Sequence, residues 1–205
     1  MRKLSGTLAA LAIAGALALA GQGPVTAQNA TPVFPDLSEC VVEPRTVDNI
    51  VDLTLNGDYE PDADIAAGKL PTGDPAPASA VDDINAMLRQ FIACANKNDI
   101  PRMLALMTDN GAQFFLDFES TITEEQLRAM AAAPVSPVAA DEREAFVPMS
   151  DLVVFDDGRI GGRSTESSDD GDSVYLIFAN VDGNWLIDQI TEIVGPATPE
   201  ATPAA

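Results

Sequence analysis

Between Ser79 and Asn98 apolar side chains fall at Val81, Ile84, Leu88, Phe91 and Ala95, the spacing of one helical face. Ser79 precedes them with Asp82 three positions on, an arrangement that caps a helix start. A second helix is predicted after a cap at Asp99, with Pro101 in its first turn and Met103, Leu104, Leu106 and Met107 as apolar positions. Gly111 interrupts that pattern before Phe114, Phe115, Leu116 and Phe118, which read as a short helix or an irregular buried segment. Thr123 and Gln126 form a capping box for a helix that runs to Ala132 and stops before Pro134. Upstream, Thr46 caps a short helix to Leu55 with Val47, Ile50 and Val51 at helical spacing.

After Pro148 the period changes. Proline is absent until Pro196, and β-branched and aromatic residues dominate, as strands require. Leu152 to Phe155 and Arg159 to Ser164 flank Asp157-Gly158, while Val174 to Val181 and Trp185 to Ile193 flank Asp182-Gly183. Asp-Gly between such runs signals a two-residue hairpin, because both turn positions take positive φ. Ser167 to Ser173 supplies the connecting turn. Helices followed by four consecutive antiparallel strands predict an α+β domain with the helices packed on one sheet face.

The ends follow other rules. Arg2 and Lys3 precede an apolar run from Leu8 to Ala20, and Val25-Thr26-Ala27 has the small-residue pattern that signal peptidase reads. The run is too short to span a bilayer comfortably. A secretory signal peptide over residues 1–27, cleaved after Ala27, is expected, with an uncleaved anchor as the alternative. No stable membrane insertion is expected after cleavage, and the mature chain is expected to be secreted or extracytoplasmic. Residues 28–55 form an N-terminal segment carrying the short helix. Residues 56–78, with Pro61, Pro71, Pro75 and Pro77 among Asp, Gly and Ala, read as an acidic linker. The domain occupies 79–195, and 196–205 is a disordered Pro/Ala/Thr tail.

Charge narrows the function. Eleven Lys and Arg stand against 32 Asp and Glu, a formal net charge of −21, which excludes nucleic-acid binding and disfavours an anionic membrane surface. The chain has no His, so the commonest general base and metal ligand are missing, and no cofactor or metal is expected. Asp58, Glu60, Asp62 and Asp64 alternate but lack the frame and terminal Glu of a calcium loop. Two Cys in an oxidising compartment tend to pair. Cys94 lies at the edge of its helix's apolar stripe, in line with Met87 and Phe91, where a segment bearing Cys40 could reach it. A Cys40–Cys94 disulfide is predicted.

The run Phe91-Ile92-Ala93-Cys94-Ala95-Asn96-Lys97-Asn98-Asp99, followed by Met103-Leu104-Ala105-Leu106-Met107-Thr108, resembles the opening of the nuclear transport factor 2-like superfamily. Asp182-Gly183-Asn184-Trp185-Leu186-Ile187-Asp188 resembles that superfamily's final hairpin. The resemblance spans about residues 79–194. It implies a cystatin-like cone of the polyketide-cyclase and ketosteroid-isomerase kind, in which a strongly curved antiparallel sheet wraps the helices around a pocket. It also implies roles from isomerase, dehydratase, hydrolase or cyclase to plain binding module, and homodimers through the sheet.

A two-residue turn at Asp182-Gly183 sets Ile177 opposite Asp188 and Tyr175 opposite Ile190. Tyr175, Ile177, Ala179, Leu186, Asp188 and Ile190 then share a face, and Tyr175 and Asp188 are diagonal neighbours. An acid on an apolar face beside a phenol could move a proton on a carbonyl compound. The ordinary alternative puts Asp188 on a wet face or against an arginine. Arg163, opposite Leu152 in the first hairpin, could meet an anionic ligand or a surface acid. Phe115 and Trp185 could line a pocket or fill the core. With so thin an acid–base complement, the expected function is a non-catalytic domain that binds a small apolar or amphipathic ligand or a protein partner. The alternative is a cofactor-free lyase, isomerase or cyclase acting on a small carbonyl or polyketide-like compound through Asp188 and Tyr175.

Overall fold

The computed structural model describes residues 33–57, 59, 62–66, 69–116, 123–167 and 173–193, so the expected signal peptide, most of the 167–173 turn and the C-terminal tail lie outside the described residues. A 3-10 turn (Leu37–Glu39) comes first, followed by α1 (Val47–Asn56), α2 (Ala63–Ala66), β1 (Asp74–Pro75) and α3 (Ala78–Lys97). Then come α4 (Ile100–Leu104), α5 (Asp109–Leu116), α6 (Glu124–Ala131), β2 (Val153–Val154), β3 (Ile160–Ser167), β4 (Ser173–Val181) and β5 (Asn184–Ile193). The strands form one open antiparallel sheet in the order β1-β2-β3-β4-β5. The fold is α+β. Among the described residues no helix is long and apolar enough to cross a membrane.

Two caps form as expected: Thr46 accepts the Asn49 N–H, and Thr123 and Gln126 bond reciprocally. Two do not. α3 starts behind Pro77 with no side-chain cap, because Pro77 already ends the extended chain. The Asp99 carboxylate leaves the α4 amides and accepts from Arg102 Nη1 at 2.7 Å. Gly111 also differs from expectation. It sits in the first turn of α5, where any Cβ would strike the Ile187 carbonyl, so glycine lets this helix lie against β5.

At Asp182-Gly183 both residues have positive φ (52° and 86°), the two-residue turn expected. At Asp157-Gly158 only Gly158 does, and Phe155 N–H donates to the Arg159 carbonyl, closing a three-residue loop. The register moves by one place: Val153 pairs with Gly161, and Leu152 lies against Gly162 instead of facing Arg163.

Ile84, Leu88 and Cys94 of α3 share one buried cluster with Leu104, Met107 and the sheet residues Ile160, Phe178, Ile187 and Ile190. The other sheet face carries Tyr175 and Ile177, which pack with Ile65 of α2 and the half-buried Leu70 and Phe155. Residues 56–78 are therefore not a linker. The Tyr59 hydroxyl donates to the Ile190 carbonyl at 2.6 Å, Asp62 N–H donates to Gln189 Oε1, Ile65 is 1% exposed, and Asp74 and Pro75 pair with β2. The segment crosses the outer face from β5 to β2 as a strap. One aliphatic side chain, Ile65, anchors it among polar residues, prolines and glycines, which is why hydrophobic periodicity misses it.

The irregular stretch between α6 and β2 is held to α3 by side-chain amides. Asn85 donates to the Met149 carbonyl and accepts the Met149 N–H, at 2.9 and 2.8 Å. Asn96, 2% exposed, does the same for Glu144, both at 2.8 Å. Each amide stands in for a neighbouring strand. The Cys40–Cys94 disulfide forms as predicted and ties the 3-10 turn to α3, beside a two-pronged Arg89–Glu39 ion pair.

Two stability predictions follow from these ties. Closing a loop across a sequence separation of 54 contributes about 4 kcal/mol, so Cys94→Ser lowers the melting temperature by roughly 10 °C. An unchanged melting temperature would show that the bond contributes nothing. Asn96→Ala strands the Glu144 N–H and carbonyl, and urea titration is expected to give a loss of about 2–4 kcal/mol.

Candidate functional site

Along β5 the ladder is regular from the turn until Phe178 meets Ile187, but Ile177 then pairs with Gln189, so Asp188 is the extra residue of a β-bulge. Every later partner moves by one. Tyr175 faces Thr191 instead of Ile190, and Ile190 turns into the main core. Tyr175 and Asp188 are thus not the diagonal neighbours that a uniform ladder makes them. The bulge has visible holders. Thr108 Oγ1 donates to Asp188 Oδ1 at 2.8 Å and accepts the Gly111 N–H, capping α5. Asn110 Nδ2 donates to the Asp188 carbonyl, and Arg159 Nη1 donates to Asp188 Oδ2 at 3.1 Å. Both carboxylate oxygens accept from groups of the fold, and the side chain is 16% exposed. Asp188 meets an arginine, and serves as a strut between α5 and the Arg159 hairpin.

Tyr59 is a phenol close enough to feel this acid. Burial pushes its pKa up, the hydrogen bond to Ile190 opposes that, and the negative charge of Asp188 adds to the rise. Sequence analysis missed Tyr59, Thr108 and Arg159 as parts of this site. Thr108 left one legible signal, a Thr three residues before a Gly at a helix start.

A second arrangement crosses three strands on the outer face. Arg163 of β3 lies directly opposite Tyr175 of β4, which lies directly opposite Thr191 of β5. Arg163 is exposed and has neither ion pair nor hydrogen bond among the described residues. Tyr175 is 3% exposed, yet its hydroxyl has no hydrogen-bond partner among them either. Burial raises its pKa, and the positive charge of Arg163 pulls the other way. Thr191 is buried, and its hydroxyl lies beside that of Tyr59, whose proton goes to the Ile190 carbonyl and whose pKa the neighbouring Thr191 hydroxyl lowers. Gly161 sits under the rings of Phe155 and Tyr175, which a Cβ there would displace.

The third feature is a shallow groove of about 400 Å³ at the α3–α4 corner. Pro44, Ile100, Pro101, Arg102, Pro134 and Val135 are among its walls, and the last turn before it contains the buried Asp99–Arg102 pair. Ile100 and Val135 are 41% and 45% exposed, high for large aliphatic side chains. None of the candidate site residues Asp188, Tyr175, Arg163, Phe115 and Trp185 lines it. Phe115 is half-buried against Phe91 and edge-on to Phe114, and Trp185 is half-buried opposite Asn180; both pack on the main cluster. Among the described residues no group of three or more His, Cys, Asp or Glu could hold a metal ion.

No protein-family model, curated protein or solved structure matches the chain. Its site therefore stands on its own geometry.

If Asp188 is a strut, Asp188→Ala costs about 2 kcal/mol of unfolding free energy, the range of a lost charge-assisted hydrogen bond. Tyr175→Phe, which removes a hydroxyl that bonds nothing among the described residues, stays within about 0.5 kcal/mol of the parent. Urea denaturation of the two variants checks the contrast, and the reverse order would refute it.

Proposed function

We propose that the chain is an extracytoplasmic, non-catalytic binding domain for a small apolar or amphipathic molecule or a segment of a protein partner. One observation carries this reading. The acid singled out on the sheet has both oxygens bound, to Thr108 and to Arg159, and Tyr175 lies away from it along the ladder. Acid–base catalysis needs a group within reach of a substrate proton, and here that reach is taken up by the fold. The groove supports it with a volume in the range of small-molecule sites and a mixed lining suited to an amphipathic molecule, Ile100, Val135 and prolines beside Asn98, Asp99 and Arg102.

The same proposal takes the domain as a nuclear transport factor 2-like cone with the sheet curved around its helices. Supporting it are the order of helices before hairpins, the Asn98–Asp99 turn between α3 and α4, and the Asp182-Gly183 hairpin. The Cys40–Cys94 bond and the basic, apolar, small-residue pattern at the N-terminus support an oxidising destination and secretion.

The test has two arms on the chain from residue 28 onward. In heavy water, α-proton exchange of 2-cyclohexenone is expected at the buffer rate. Exchange that is faster, and lost in Asp188→Asn, would establish the lyase or isomerase alternative instead. In the second arm, amide shifts are followed by NMR during titration with decanoate and with octyl glucoside. Saturable shifts with at least one are expected below about 1 mM. Their absence with both would end the binding reading.

A further inference from the structure

We infer that the cross-strand pair Arg163–Tyr175 on the outer sheet face takes the carboxylate of a small amphipathic ligand, whose apolar body lies along Phe155 and Leu70. This rests on the binding-domain reading and moves the ligand from the groove to the face under and beside the strap.

The first reason is the state of the arginines. Arg45, Arg89, Arg102, Arg128 and Arg159 each meet a carboxylate, as expected in a chain with 32 acids, and Arg143 donates to the Val138 carbonyl. Arg163 meets none among the described residues, although it is exposed and its fork is built for two acceptor oxygens. The second reason is what stands next to it. The Tyr175 ring is fixed by burial, so its hydroxyl is a donor of set position with no bond made within the described fold. One strand further, Thr191 is buried under the strap beside the Tyr59 hydroxyl, so the open donors are those of Arg163 and Tyr175.

Two idle donors, a guanidinium and a phenol, in directly opposed register positions fit an acceptor-only group. A carboxylate supplies two such oxygens. A cationic or uncharged head leaves the guanidinium unmatched. A dianionic phosphate meets the full repulsion of a chain of net charge −21, which a monoanion feels half as strongly. The neighbouring wall is apolar and partly open: Leu70 and Phe155 are half-buried, with Ile65 and Ile177 beneath them. Gly161 keeps the Phe155 and Tyr175 rings close over β3. An aliphatic or aromatic tail can lie there without entering the main core.

The test uses the same labelled chain, with decanoate as the anionic probe and octyl glucoside as the uncharged one. Decanoate is expected to shift amides at residues 161–164 and 175–177. Its Kd should rise about tenfold in Arg163→Gln and by a smaller factor in Tyr175→Phe, the size of one lost charged and one lost neutral hydrogen bond. Octyl glucoside binding should not change in either variant. Melting temperatures should match the parent, since neither side chain is bonded within the described fold, and this separates lost recognition from lost folding. Decanoate binding that is indifferent to both substitutions, or that shifts Ile100 and Val135 instead, overturns this inference and leaves the binding domain standing. No saturable binding of either amphiphile overturns both.

Discussion

An edge strand carries unpaired N–H and C=O groups that either find a partner in their own fold or invite one from another chain. β5 is such an edge, and much of the molecule is arranged around covering it. The Ile187 N–H donates to the Leu106 carbonyl and the Ile187 carbonyl accepts from Thr108 N–H, so the α4–α5 turn runs as a short parallel partner. That turn is itself fixed from behind. Arg45, with its side chain 13% exposed, donates to the Leu104 and Met107 carbonyls at 2.8 and 2.6 Å and pairs with Asp109. Further along, the Ile190 carbonyl takes the Tyr59 hydroxyl. Three separated stretches of chain close one edge.

The bulge follows from that closure. With Ile187 held on both sides and α5 set close through Gly111, Asp188 has donors waiting in Thr108, Asn110 and Arg159. A regular ladder would put one residue between these donors and the next pair; the structure places an extra one and rotates the rest of the strand. Ile190 gains the main core, and Gln189 and Thr191 go to the outer face, where the strap covers them. The strap and the bulge are thus parts of one solution: polar residues turned outward by the bulge are roofed by a segment that brings its own polar groups.

How much of this was legible depended on range. Local signals worked where the partners are near in sequence. The stripe from Val81 to Ala95, the Thr46 and Thr123 caps and the Asp182-Gly183 turn all form as their spacing demands. The disulfide was readable because compartment and helix face agreed. Counting failed at two places for physical reasons. A single loop residue at Asp156 and a single bulge residue at Asp188 each shift a register, and neither leaves a compositional mark. The strap failed differently: Ile65 alone cannot make a periodic pattern, and prolines such as Pro75 in an edge strand and Pro77 before a helix look like prolines that keep a chain unfolded. Asn85 and Asn96 looked like ordinary helix residues because nothing local tells an amide facing solvent from one that replaces a strand.

The residues chosen for chemistry separate along the same line. Asp188 was chosen for its face and is bound by the fold. Arg163 and Tyr175 were chosen apart, one as an anion partner and one as a proton donor. What register does bring opposite Arg163 is Tyr175. Folding thereby removes the carboxylate that proton transfer would need and leaves donors unmatched beside apolar rings. Among the described residues five arginines are tied to the fold's own acids, Arg143 to a backbone carbonyl, and Arg163 stands outward opposite Tyr175 with neither bond, so the unmatched donors of these two strands share one surface, the one proposed to take an acceptor from outside.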